Sequence, residues 1–240
     1  MIGPLLVIIG AAILGAAAVL LRNVGPAYRI GRTLSAAPEL ALAEVVALAS
    51  GADGGPRYVR THGRISSDEE FPDENDRPLV YRRQRLQRRS GRAWATLDDD
   101  RVAVPFGIED RQSFLAVDID ALGDGLVVVP REAVGVASDL PASMLPSGVI
   151  LPSDAPVRVR IDQLSAIEQA TIAGVPTLRA GEPTLSSGAG RPLIVTSLAP
   201  DEAMRVLGSE RRGTVQAAAA MLVAGAGCVA LGLVALILAL

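Results

Sequence analysis

Two charge-free apolar stretches bracket a polar interior. Residues 1–21 and 213–240 contain no Lys, Arg, Asp or Glu, and all 23 basic and 26 acidic residues lie between them. A helix crosses a hydrocarbon core of about 30 Å with roughly 20 apolar residues rising about 1.5 Å each. Residues 5–21 therefore make a short but adequate span, and residues 215–240 make one with room to tilt. The pattern predicts a membrane protein with two transmembrane helices, residues 1–22 and 214–240, flanking a mainly β soluble domain with one or two short helices. The first span is expected to stay as an anchor, because it lacks a basic n-region and its apolar run continues past Ala16-Ala17-Ala18 to Leu21.

The interior changes pattern twice. Residues 34–50 are rich in Ala and Leu, with Pro38 placed as for a first helical turn and Glu39 behind it. This predicts a juxtamembrane helix and linker over residues 23–53, broken by Gly-Ala-Asp-Gly-Gly-Pro at 51–56. From residue 57 onward, short runs of Val, Leu and Ile alternate with Gly, Pro, Asp and Ser clusters. Strands are expected at 58–65, 79–89, 92–97, 102–108, 114–117, 126–129, 157–164, 176–180 and 193–197. Over residues 54–200 this reads as a β-sandwich or an OB-like barrel. Ser90-Gly91 fits a hairpin turn, and Asp98-Asp99-Asp100 fits a hairpin tip. Residues 139–156 carry Pro141, Pro146, Pro152 and Pro156 and form a loop that could divide subdomains. Residues 201–213 read as a short helix with Asp201 and Glu202 near its N-terminus, where carboxylates favour the helix dipole. The segments Tyr58-Val-Arg-Thr-His-Gly-Arg-Ile and Pro176-Thr-Leu-Arg-Ala-Gly-Glu-Pro echo one another. Two small OB-like units and chance similarity both account for the echo.

Charge narrows the chemistry. The formal net charge is −3, so no global attraction to nucleic acid is implied. Every basic residue is Arg, most simply a codon preference, and without Lys there is neither a Schiff-base lysine nor a phosphate-loop lysine. Single copies of Cys (Cys228) and His (His62) exclude an intrachain disulfide and a Cys/His zinc site. Arg22, Arg29 and Arg32 follow the first span, and Arg205, Arg211 and Arg212 precede the second. Positive-inside bias then places residues 22–213 in the cytoplasm with both termini on the opposite side.

An acidic segment (Asp68, Glu69, Glu70, Asp73, Glu74, Asp76) precedes a strand carrying Arg82, Arg83, Arg85, Arg88, Arg89 and Arg92. Alternation puts Arg83, Arg85 and Arg89 on one face and Arg82 and Arg88 on the other, as for a solvated, protruding hairpin. Such a ribbon could contact anionic lipid headgroups or an acidic partner at about 1 kcal/mol per Arg near an anionic surface. The simpler alternative is a hairpin neutralised by its own acidic loop. With aromatics at 3% of the chain, the ribbon offers no stacking platform for nucleic acid.

Asp118-Ile-Asp120-Ala-Leu-Gly123-Asp124-Gly125 begins like an EF-hand loop, but Leu122 and Val129 stand where two oxygen ligands are required. A turn at residues 123–125 explains the segment more simply. No Gly-x-Ser-x-Gly elbow accompanies His62, and no catalytic constellation, metal site or cofactor is expected. Ala220, Ala224, Cys228 and Gly232 recur every four residues, and Ala11 and Gly15 offer a matching groove. Small residues at such spacing allow membrane helices to approach closely.

Several short pieces together resemble the GIDE-type, or beside-a-membrane, family. They are the Ala/Leu segment at 37–50, His62-Gly63-Arg64-Ile65, Leu79-Val80-Tyr81-Arg82, Trp94, Pro105-Phe106-Gly107-Ile108-Glu109-Asp110, Ala116-Val117-Asp118, Glu168, Gly174 and Gly181-Glu182, between two anchors. Ala166-Ile167-Glu168 departs from the Tyr-x-Glu expected there. The resemblance implies a membrane-tethered β-rich module that binds a protein partner at the bilayer surface. It also implies E3 ubiquitin ligase-like activity, as in the eukaryotic members. One Cys and one His cannot build a RING, so that activity would need a separate RING subunit. The expectation from the residues is a non-catalytic binding or scaffolding module.

Overall fold

A computed structural model describes residues 2–51, 57–91, 93–141, 144–209 and 212–238. Contacts divide the chain into two units, one formed by both chain ends (Met1–Ser35 with Met204–Leu240) and one by Ala36–Ala203.

The first unit is a pair of long helices. Helix α1 (Ile2–Ala36) and the C-terminal helix (Arg212–Ile237) are 35 and 26 residues long. Within them, Gly3–Leu21 and Gln216–Ile237 are long and apolar enough to cross a membrane. Only 11% of either stretch is buried, unlike a helix in the core of a soluble protein. The helix pair runs antiparallel and is set by missing side chains. A Cβ on Gly10 would lie 2.8 Å from the Gly225 carbonyl oxygen, and one on Gly232 would lie 2.8 Å from that of Gly3. Gly3, Gly10 and Ala17 are buried at seven-residue spacing on one helix, and Ala218, Gly225 and Gly232 on the other. Seven residues are close to two helical turns, so each set forms one narrow seam.

Helix α1 continues beyond the expected end of the span near residue 22 to Ala36. The expected helix over 34–50 is much shorter, with α2 covering only Leu42–Ala49. Pro38 disfavours helix in the residue before it, and here the chain from Pro38 to Leu40 is extended. Arg60 N–H donates to the Pro38 carbonyl at 2.9 Å, and Leu40 N–H to the Arg60 carbonyl at 3.0 Å. Glu44 accepts from the Ala41 N–H at the start of α2 (3.3 Å), satisfying a donor that the first turn leaves open.

The second unit contains two sheets. In the first, β1 (Val59–Ser66), β5 (Gly107–Glu109), β6 (Phe114–Val117), β11 (Glu182–Ser186) and β10 (Gln169–Arg179) pair in that order. The β1–β10 pairing then closes them into a ring. Only β6–β11 is parallel within the ring. Strands β12 (Ile194–Thr196) and β7 (Leu126–Val127) extend the sheet from β10. The core holds Val59, Ile65, Ile108, Leu115, Ile172, Leu185 and Val195, with Leu42 and Val45 of α2 packed into it. The two echoing sequence segments do not seed separate units. Val59 in the first pairs with Gly174 of β10, the strand that carries the second segment, so both lie in neighbouring strands of one ring.

The second sheet is ordered β2-β3-β9-β8, with β4 also on β3. Its strands are β2 (Phe71–Pro72), β3 (Pro78–Ser90), β4 (Ala93–Ala103), β8 (Arg131–Val136) and β9 (Pro156–Ser165). The root of β3 enters the ring's core through Val80 and Tyr81, beside Leu164 of β9. Farther out, Leu86 and Val157 form a separate small cluster with Leu140, Leu145 and Leu151. Leu140, Leu145 and Leu151, from the segment between the paired strands β8 and β9, therefore pack on this sheet.

Asp98, Asp99 and Asp100 are not a hairpin tip. They lie within β4 opposite Leu86, Arg85 and Gln84, and Asp99 takes its cation, Arg83, from β3. Strand β8 was not legible in the sequence, because Arg131-Glu-Ala-Val-Gly-Val lies mostly exposed at a sheet edge and lacks a clean alternation. The helix Pro200–Ser209 corresponds to the short helix expected near residue 201.

Candidate functional site

The arginine strand is the first place to look, and the structure reassigns it. Strand β3 is paired along one edge to β4 and along the other to β9, so it is central in its sheet and not a free ribbon. Arg83 donates from Nε and Nη2 to the two carboxylate oxygens of Asp99 (2.7 and 2.6 Å) and from Nη1 to Asp124 (2.6 Å). These bonds hold the Asp99 carboxyl below the usual carboxylate range and raise the Arg83 guanidinium. Arg85 pairs with Asp162, which also accepts from Arg160 Nε at 3.3 Å. Glu132 on β8 takes Arg158 and Arg160 at 3.4 and 3.5 Å. Arg158 lies over the Trp94 ring at 4.8 Å.

The other arginines of the ribbon separate from this network. Arg82 is on the opposite face, 6.0 Å from the Phe71 ring centroid. Arg88 and Arg89 stand exposed at the end of β3, and Arg92 lies outside the described residues. Among the described residues no ion pair joins the acidic segment at 68–76 to the strand; Asp73 instead lies 3.6 Å from Arg131 of β8. Asp73 also accepts the backbone N–H groups of Asn75 and Arg77 at 2.8 and 3.0 Å, which hold its carboxyl below the usual range.

The residues expected in close helix packing also distribute differently. Gly232 is in the seam. Ala11, Gly15, Ala220 and Ala224 are exposed, and Cys228 is half-buried. A Cβ on Gly15 would meet nothing within 4 Å. The close approach follows a spacing of seven, through Gly3, Gly10 and Gly225, because a helical face recurs more nearly every seven residues than every four. Arg22, Arg211 and Arg212 have side chains outside the description.

A cleft of about 730 Å³ opens at one end of the ring, within the size range of ligand pockets. It lies between the segment leaving β1, strand β6 and the β10–β11 hairpin. Asp118, at the end of β6, is buried. Its Oδ2 accepts from Arg179 Nη1 and from the Ser186 hydroxyl, each at 2.5 Å. That cluster ties β6, β10 and β11 together and uses up the one cation of the lining. Asp68, Glu69, Asp120 and Glu182 also line the cleft. They are exposed and, among the described residues, no ion pair meets their carboxylates.

The apolar wall is equally defined. Phe114 lines the cleft and remains 42% exposed. A Cβ on Gly107 would come within 2.5 Å of its ring and of the Leu115 carbonyl oxygen, so the ring rests directly on glycine backbone. Phe114, Arg179 and Glu182 could not be grouped as one site from the sequence, because they lie far apart along the chain. Asp118 was visible in the failed calcium loop and in the family resemblance, but not as a residue of a cleft. Among the described residues there is no cluster of three or more His, Cys, Asp and Glu placed to hold a metal ion.

Compared with models of protein families, with curated proteins and with solved structures, the chain matches none.

Proposed function

We propose that this protein is a membrane-anchored binding or scaffolding module, non-catalytic, that holds a protein partner at the bilayer surface. The observation that carries the reading is the cleft, acidic at its rim and floored by Phe114, set on a closed strand ring in a chain whose two end segments are long apolar helices. A pre-formed cleft with an apolar wall and a few convergent polar groups is what a binding site requires.

The ring is proposed to be an OB-like barrel. Five strands in closed order support this, as does the position of the cleft, between the connection after the first strand and the turn joining the last two. Barrels of that class bind ligands there. The two anchors around a β module keep the GIDE-type family as the family proposal. Arg29 and Arg32 after the first apolar stretch, with Arg205 before the second, support a cytoplasmic soluble unit and both termini on the far side. An anionic-lipid role for the arginine strand is weakened by the ion pairs that engage Arg83 and Arg85.

The test has two arms. Alkaline extraction of native membranes should leave the full chain in the pellet, and release into the supernatant would overturn the anchored reading. A photo-crosslinker at Phe114 should capture a discrete protein adduct that is lost with Glu182→Arg. Equal recovery from a crosslinker at exposed Arg111, or no adduct, would overturn the binding reading.

A further inference from the structure

Strand β3 is longer than its place in the core requires. Tyr81 is buried in the ring's core, yet the strand runs on to Ser90. The eight steps from Tyr81 to Arg89 span about 26 Å at about 3.3 Å each. The far end is thus an arm, stiffened by β4 and β9, that cannot fold back on the core. At its tip Arg88 and Arg89 are exposed beside the Ser90-Gly91 turn. The only described bond of either side chain is local, Arg89 Nε donating to the Gly91 carbonyl at 3.3 Å. One end of the unit therefore carries unpaired cations, and the cleft carries the unpaired carboxylates of Asp68, Glu69, Asp120 and Glu182.

We propose that the cleft takes the tip of this arm from a second copy of the chain. The inference rests on the binding role proposed above and names the partner for that same cleft. Charge complementarity selects the occupant. Two arginines enter a rim of four carboxylates, and a guanidinium plane can lie on the Phe114 ring, a stacking contact suited to Arg. The rigid arm brings its charges pre-placed, so little conformational freedom is lost on docking. Each copy offers one tip and one cleft, which are different surfaces. The contact is therefore heterologous and propagates from copy to copy unless it closes into a ring. Confinement of both copies to one bilayer raises their effective concentration.

Full-length protein labelled with donor or acceptor fluorophore, reconstituted in neutral phosphatidylcholine vesicles at low protein-to-lipid ratio, tests this. The wild type should show energy transfer above a dilution control, and about 0.5 M salt should reduce it. Arg88→Glu with Arg89→Glu should weaken association roughly tenfold, as should Glu69→Arg with Glu182→Arg. Mixing the two reversed proteins should restore transfer between them, because one then presents an acidic tip and the other a basic cleft. Thermal melts check folding, and Arg88→Gln with Arg89→Gln provides a milder variant expected to shift association in the same direction.

Absence of transfer in the wild type, transfer indifferent to both reversals, or failure of the mixed pair would each overturn the proposal. Transfer that appears only in anionic vesicles would also overturn it, assigning the tip to lipid. A different protein captured at Phe114 with no self-association would sink this inference and leave the binding role standing. Release from alkaline-washed membranes would sink the anchored reading alone.

Discussion

Arg83 grips both carboxylate oxygens of Asp99 diagonally across the β3–β4 ladder, at 2.7 and 2.6 Å. Directly opposite Arg83 stands another cation, Arg101, so the carboxylate two positions along absorbs charge that the pairing would otherwise set against itself. Carboxylates from β4 and β9 pair Arg83 and Arg85, the two arginines that this face of β3 holds in the middle of the sheet. Bidentate, charge-assisted bonds of this kind are stronger than ordinary surface ion pairs.

Removing one partner should therefore cost more than a surface charge does. Arg83→Met leaves Asp99 and Asp124 with only Arg101, at 3.6 and 4.0 Å, in place of their bidentate donor, and a loss of about 1–2 kcal/mol is expected. Chemical denaturation of the chain in detergent measures it. The double variant Arg83→Met/Asp99→Ala should recover part of the loss, and strict additivity of the two single changes would count against the coupling.

Acid should weaken the second unit. Asp99 and Asp73 both have folded pKa values below their unfolded ones. The unfolded chain then binds more protons as pH falls through about 4, so their stabilisation is present above that value and lost below it. The melting temperature should drop as pH is lowered from 5 to about 3. Asp99→Asn should flatten that drop.

The alkaline limb has a different origin. Burial pushes the Tyr58 phenol well up, and its hydroxyl donates to the carbonyls of Ala173 and Pro192 at 3.1 and 2.7 Å. A raised folded pKa means stability that is complete below the unfolded value and declines as pH rises above about 10. Tyr58→Phe should melt lower at neutral pH but lose less between neutral pH and pH of about 10.5. An unchanged alkaline slope would count against this account.

The helix seam predicts a size threshold. Gly10→Val places methyl groups where the Gly225 carbonyl oxygen and Val229 already stand at 2.8 and 2.7 Å from a Cβ. Overpacking of about 1–3 kcal/mol is expected. Gly15→Val, with open space around it, should be nearly neutral. Cross-linking yield between cysteines placed at Ala17 and Ala218 in a Cys228→Ser background should fall for the first variant and hold for the second.

Gly107→Ala tests the floor of the cleft. The added Cβ would sit within 2.5 Å of both the Leu115 carbonyl oxygen and the Phe114 ring, so the ring must move off the backbone. A destabilisation of about 1–3 kcal/mol is expected. Loss of the Phe114 crosslink adduct should accompany it, at temperatures where the variant remains folded.

Much of this was readable residue by residue. The apolar stretches were visible because span length and charge exclusion are properties of contiguous sequence. Residues 114–117, 157–164 and 193–197 were recognisable as strands because β-branched and apolar runs between breakers need no partner to be seen. The arginine strand was visible as a strand but misread as free, because nothing at residues 82–89 says that Asp99, Asp124 and Asp162 will be brought beside it. The cleft was illegible for the same reason, since Phe114, Asp118, Arg179 and Glu182 meet only after β6 pairs in parallel with β11.

By itself, the sequence determined the two apolar ends, the β character of the interior and the exclusion of a Cys/His zinc site and of lysine chemistry. These depend on composition and local periodicity alone. Tertiary structure decided which arginines are paired and which remain at the tip of β3. It also closed five strands into one ring where an echo hinted at two, and replaced a four-residue stripe on the helices by a seven-residue seam. Each of these is a matter of register between distant segments, and register is set by which side chains can be buried together, a choice no single segment makes.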